Sequence, residues 1–148
     1  MRRYSASGNT AAGTTLVILE VIAATTTRGR IFDLLVSSDQ APADIATKFR
    51  MVRVTTTGTG TAFTPTALDP ADPAALLTAN QGTFSPVPTV TAASQLMEFA
   101  LNQRATFRWV AVPDSELIIP ATASNGIALY SVASGATPTI SGTFLWQE

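Results

Sequence analysis

Ten acidic side chains are scattered along the 148-residue chain, and the tightest grouping is Asp69 and Asp72 in Leu68-Asp69-Pro70-Ala71-Asp72-Pro73. Two carboxylates three residues apart offer hard oxygen ligands to a cation such as calcium. A calcium loop needs more oxygens and usually a glycine for its sharp turn, and this segment has neither. Asp-Pro turns account for it more simply. Glu20 stands alone in an apolar run, where burial would raise its pKa, as it does for many catalytic carboxylates. An ion pair with Arg30 or Arg53 on a neighbouring strand is the simpler expectation. Lys48, Arg50 and Arg53 share a run with Phe49 and Met51, and basic residues interleaved with aromatics can form a single-strand-binding sheet. Yet Arg53 falls on the opposite face from Lys48 and Arg50, and no second aromatic accompanies Phe49. A solvated or interface-facing strand is expected instead.

Other chemistry is removed by composition. Histidine and cysteine are both absent, which excludes Ser-His-Asp catalysis, thiolate zinc sites, cysteine nucleophiles and disulfides. No G-x-S-x-G elbow occurs, and Thr57-Gly58-Thr59-Gly60 lacks the spacing and lysine of a phosphate loop. These features predict a non-enzyme with no cofactor and no metal. A net charge of −1 argues against nucleic acid as a partner, because phosphate binding needs a basic surplus.

The charged fraction is 13%, against roughly a quarter in ordinary soluble domains. That deficit suggests a surface partly covered by other protein. The apolar run over residues 16–24 contains Glu20 and is about half the ~20 residues a membrane span requires. No membrane association is expected. Met1-Arg2-Arg3 is followed by small polar residues rather than the apolar core of a signal peptide.

The elements that must hold these residues read as strands. Threonine recurs in runs such as Thr25-Thr26-Thr27 and Thr55-Thr56-Thr57, and with Val and Ile it favours a pleated surface. Short apolar runs punctuated by Gly and Pro are the pattern of a sandwich or barrel. Strands are predicted over 14–24, 30–38, 46–56, 95–101, 106–112, 116–120, 127–132 and 139–146. One short helix is predicted over 72–78, with Asp72 as cap and Pro73 at the first helical position. It would lie within a long connection over 58–93, which also has room for irregular strands near 61–64 and 84–90. Eight strands suit a jelly-roll-like all-β sandwich. The domain would span 14–148, preceded by an arm over 1–13.

The period of two assigns faces. Both faces of the first strand are apolar, with Leu16, Ile18 and Ile22 on one and Val17, Leu19 and Val21 on the other, so cover is expected on both sides. Ile140, Phe144 and Trp146 share a face with Gly142 between them, and form a core stripe. If Asn102-Gln103-Arg104 forms a hairpin loop, Leu101 faces Ala105, Phe99 faces Phe107, Glu98 faces Arg108 and Met97 faces Trp109.

Three stretches resemble segments of small proteins encoded near the head genes of tailed phages. They are Ala67-Leu68-Asp69-Pro70-Ala71-Asp72-Pro73-Ala74-Ala75-Leu76, Leu101-Asn102-Gln103-Arg104-Ala105-Thr106-Phe107-Arg108-Trp109-Val110 and Glu116-Leu117-Ile118-Ile119-Pro120-Ala121-Thr122-Ala123-Ser124-Asn125-Gly126-Ile127. The resemblance implies a capsid decoration (cement) protein of jelly-roll build. Such a protein sits on the outer surface of the virion, commonly as a homotrimer, and clamps neighbouring major capsid protein subunits. Arg2, Arg3 and Tyr4 of the arm are the expected partner-binding residues, lying on the capsid or adding a strand to a capsid edge; a frayed terminus is the alternative. Another virion component (head fibre, tail accessory or minor capsid protein) or a carbohydrate-binding jelly roll are the alternatives. A sugar site would show an exposed aromatic beside carboxylate and amide groups, whereas Trp109 and Trp146 sit in apolar strand patterns.

Overall fold

A computed structural model describes residues 1–11, 15–132 and 138–148, except for the side chains of 11, 15, 16, 92 and 93. Among the described residues there are twelve strands and no helix. In chain order they are β1 (Arg3–Ala11), β2 (Thr15–Ile22), β3 (Gly29–Gln40), β4 (Ala46–Thr56), β5 (Thr61–Phe63) and β6 (Thr66–Ala67). There follow β7 (Thr78–Gln81), β8 (Thr89–Asn102), β9 (Phe107–Val110), β10 (Leu117–Ile119), β11 (Gly126–Val132) and β12 (Thr139–Gln147). They form two antiparallel six-stranded sheets. Sheet A runs β10-β3-β12-β1-β6, with β9 also paired to β3, and sheet B runs β5-β7-β2-β11-β4-β8.

The core lies between the sheets. Sheet A contributes Tyr4, Ala6, Ile31, Leu34, Val36, Ile140, Phe144 and Trp146, and sheet B contributes Leu19, Val21, Phe49, Met51, Ile127 and Leu129. The stripe of β12 is therefore core: Ile140, Phe144 and Trp146 are all fully buried. Gly142 lets the sheets approach at its centre, since a Cβ there would sit 2.6 Å from Leu129 Cδ2.

The first apolar strand is covered on both sides, as its two apolar faces require. A register shift opposite Leu129/Tyr130 breaks the simple alternation, so Ile18 and Leu19 both enter the main core. Val17 lies on the outer face with Val52, Val54, Ala128 and Tyr130, and Phe84 of the long connection packs over them.

Four expectations change. The arm over 1–13 contains β1, hydrogen-bonded to β12 along its whole length and to β6 at Tyr4 and Ser5; residues 12 and 13 lie outside the described residues, as does Thr14 of the expected first strand. Small polar side chains hid this strand, although Tyr4, Ala6, Gly8 and Thr10 do alternate with Ser5, Ser7 and Asn9. Gly8 is needed there because a Cβ would lie 2.8 Å from Gln81 Cβ.

The expected helix over 72–78 is absent. Asp69 Oδ1 instead accepts the Ala71 N–H (2.9 Å), and the Leu76 and Leu77 N–H groups donate to the Glu148 carboxylate at 3.0 Å each. A distant carboxylate thus takes the amides a helix would have used, and extension lets Leu77 reach the core. The connection over 58–93 also holds β5, β6 and β7, of which only the first was anticipated near 61–64.

The hairpin around Asn102-Gln103-Arg104 does not form, because β8 pairs with β4 in sheet B and β9 with β3 in sheet A. Gln103 is the reason. It is buried, and its Nε2 donates to Thr47 Oγ1 while its Oε1 accepts the Ala43 N–H, both at 2.9 Å. The chain is anchored to the segment before β4 and crosses between sheets. Phe99 and Phe107 still stack, with centroids 4.0 Å apart, but across the sandwich rather than across a hairpin. Phe49 extends the stack to Phe99 at 5.4 Å. Glu98 pairs with Arg50 and Arg108 with Asp33, not with each other.

Candidate protein-contact surface

One row of residues crosses an end of sheet A, running Ala67, Tyr4, Trp146, Ile31 and Leu117 through successive strand pairs. The alternation of β1 sends Tyr4 inward and leaves Arg3 exposed on the other face. Tyr4 is fully buried, packs tilted against Trp146 with ring centroids 6.0 Å apart, and donates its hydroxyl to Pro73 O at 3.0 Å. It cannot offer its side chain to a partner. Arg2 is held through its backbone, which exchanges hydrogen bonds with Glu148 (3.3 and 3.0 Å). The Arg3 guanidinium lies 5.8 Å over the Phe32 ring, a cation–π contact.

Beside this row, Met1, Arg3, Leu68, Asp69 and Asp72 line a groove of about 360 Å³. Met1 is 89% exposed, Leu68 48% and Leu76 51%. Arg3 is thus brought together with Met1 and Leu68, neither of which the sequence pattern marked, and with the carboxylates of Asp69 and Asp72; Arg2 is not in the groove lining. Leu68 and Leu76 sit singly among Pro, Ala and Asp, so no periodicity marked them.

The other residues with chemical potential are taken up structurally. Lys48 and Arg50 share a face as expected, and both pair with Glu98, at 3.4 and 2.6 Å. The Arg50 hydrogen bond, with Lys48 beside it, holds the Glu98 carboxyl below its usual range. Arg53 donates to Ile118 O at 2.6 Å, and Phe49 points into the core. Among the described residues no three metal-ligating side chains cluster. Trp146 is buried and Trp109 is packed against the core.

The chain matches no protein-family model, no curated protein and no solved structure.

Glu20 departs from its expected ion pair. It is fully buried on the outer face of sheet B, where Thr57 Oγ1 donates to it at 3.1 Å and the Gly58 N–H reaches both of its oxygens. Arg30 lies in the other sheet, and Arg53 is engaged elsewhere. Burial raises the Glu20 carboxyl above its ordinary value, against the opposing hydrogen bonds from Thr57, Gly58 and Asn80. The nearby Tyr130 phenol is pushed up to about 12 by burial and by Glu20.

A carboxyl raised on folding binds its proton more tightly in the native state. Its contribution is complete below the unfolded value, near 4.5, and is lost as pH rises through the higher folded value. Chemical unfolding is therefore expected to show stability declining across that window, with a flatter profile in Glu20→Gln. Parallel profiles for the two proteins would count against this assignment.

Proposed function

We propose that this chain is a jelly-roll structural protein of a tailed-phage virion, which binds the outer surface of the capsid as a homo-oligomer and clamps neighbouring major capsid protein subunits. The jelly-roll reading is supported by the strand orders β1-β12-β3-β9 and β2-β11-β4-β8, two facing four-stranded sets that exchange as the chain advances. Strands β5, β6 and β7 are additions within the long connection between β4 and β8. Jelly rolls serve both in viral shells and in lectins, and a fold does not by itself choose between them.

What carries the capsid reading is one meeting of features at an end of sheet A. Two of the three stretches that resemble head proteins, over 67–76 and 116–127, flank that row of strands. Met1, Arg3, Leu68, Asp69 and Asp72 line a groove beside it, with Met1 and Leu68 exposed. Exposed apolar side chains set among charges of both signs suit the rim of a protein-binding surface. The lectin alternative finds no comparable support, since both tryptophans are packed against the core.

The test adds the full chain to expanded, undecorated capsids of the phage that encodes it. Shells that gain its mass and resist heat better support the proposal; shells that gain neither overturn it. Arg2→Glu, Arg3→Glu and Leu68→Asp together are expected to weaken capsid binding by about tenfold or more, while the exposed positions and the lost Arg3–Phe32 contact cost the fold only about 1 kcal/mol.

A further inference from the structure

A sheet edge presents a row of unpaired N–H and C=O groups, and proteins blunt such edges by keeping the edge strand short or charged. Three of the four sheet edges end in short strands: β5 has three residues, β6 has two (covering β1 only at Tyr4 and Ser5), and β9 and β10 have four and three. The fourth is β8, with fourteen residues. Among the described residues only β4 pairs with it. Over 97–102 its register with β4 is unbroken, running from Met51↔Met97 to Ala46↔Asn102. Proline is absent from this stretch, and its one charge, Glu98, is already matched by Lys48 and Arg50 of the same sheet.

The side chains along this edge are also incompletely covered. Met97, Phe99 and Leu101 pack against the core yet remain partly exposed. The edge therefore calls for a partner strand that is extended, carries no charge left unmatched within its own sheet and is apolar on one face. The 97–102 stretch of β8 itself meets each of those requirements.

We propose that β8 pairs antiparallel with β8 of a second copy about a twofold axis through Phe99, joining the two B sheets into one. Residues directly opposite in a pair share a face, so the inward residues of one copy can meet only inward residues of the other. A twofold at Phe99 sets Phe99 against the copy's Phe99, Met97 against the copy's Leu101, and Glu98 against the copy's Ala100. A twofold at Glu98 would oppose two carboxylates and is disfavoured. Such an interface is isologous and closes at two copies; it builds a pair rather than the trimer implied by the resemblance. The pairing rests on the edge alone and is independent of the capsid reading.

Position 100 provides a test by sign. Within one chain Ala100 faces Lys48, so Ala100→Glu retains a favourable neighbour in its own sheet while meeting the copy's Glu98. Ala100→Lys meets the copy's Glu98 with an opposite charge. Sedimentation equilibrium of the full chain is expected to give twice the 15.5 kDa protomer mass. Ala100→Glu should weaken the dimer about tenfold or more, and Ala100→Lys should leave it as tight or tighter. Amide hydrogen exchange over 97–102 should slow as wild-type concentration rises, a readout that needs no variant. A wild-type chain that stays monomeric at every concentration overturns the pairing. So does an oligomer whose affinity ignores both variants and whose 97–102 amides gain no protection.

Discussion

Replacing Trp146 with alanine is expected to lower the stability of the fold by about 3–5 kcal/mol, the usual cost of emptying a buried large aromatic site. The side chain is fully buried on β12 and contacts Tyr4 at 6.0 Å. Its Nε1 also donates to Glu148 Oε1 at 3.1 Å, and the same carboxylate accepts the Leu76 and Leu77 amides. Loss of the indole therefore opens a cavity and also frees the group that holds the connection over 72–78 extended. Domains of this kind have only about 5–15 kcal/mol in hand, so the variant should populate unfolded chains at modest urea concentrations. Trp146→Phe is the intermediate case: it loses the indole N–H and part of the buried ring volume but keeps an aromatic ring, for a cost of about 1–3 kcal/mol. Urea unfolding of the three proteins checks this. An alanine variant within about 1 kcal/mol of wild type would mean that this face of β12 is not core.

Gly126→Ala is the second large effect, and its cause is backbone rather than side chain. A Cβ at Gly126 would lie 2.3 Å from Val21 O, 3.2 Å from Val21 C and 3.3 Å from Ile22 Cα. These atoms belong to β2, which is paired on both sides, to β11 and to β7. The strand cannot retreat without breaking one ladder. A loss of about 3 kcal/mol, at the upper end for overpacking, is expected. Gly142→Ala is the control. There the nearest atom is Leu129 Cδ2 at 2.6 Å, the end of a side chain that can rotate, so a smaller loss of about 1–2 kcal/mol is expected. Equal losses at the two positions would show that β2 yields more readily than its two ladders imply.

The strands rich in Val, Ile, Leu and aromatics were legible from pattern alone. Ala46–Thr56 matches its expected bounds, and the 127–132 and 139–146 expectations differ from β11 and β12 by one residue. β1 was not legible, because Ser, Ala, Gly and Asn carry little strand preference and its only large inward side chain is Tyr4. The long connection misled for a related reason. Asp72, Pro73 and the following alanines and leucines are good local helix chemistry, and local propensity yields when a distant carboxylate claims the amides. In the contact surface, Arg2 and Arg3 were selected from their types. Leu68 and Leu76 were not, since a single exposed leucine in a loop leaves no periodic trace.

An all-β chain, with a β12 stripe of Ile140, Phe144 and Trp146 facing inward, could be read from residue order alone. Those outcomes follow from the two-residue period of a strand, which is local. Which strand pairs with which was settled by packing in three dimensions. Phe99 and Phe107 were expected to meet and do, yet they meet between sheets, because buried Gln103 binds the segment before β4 and turns the chain across the sandwich. The partner of Glu20 was settled in the same way, by the segment just after β4, with Thr57 37 residues distant, rather than by an arginine. Contacts set by long-range closure depend on what else fills the space, and spacing along the chain carries no record of that.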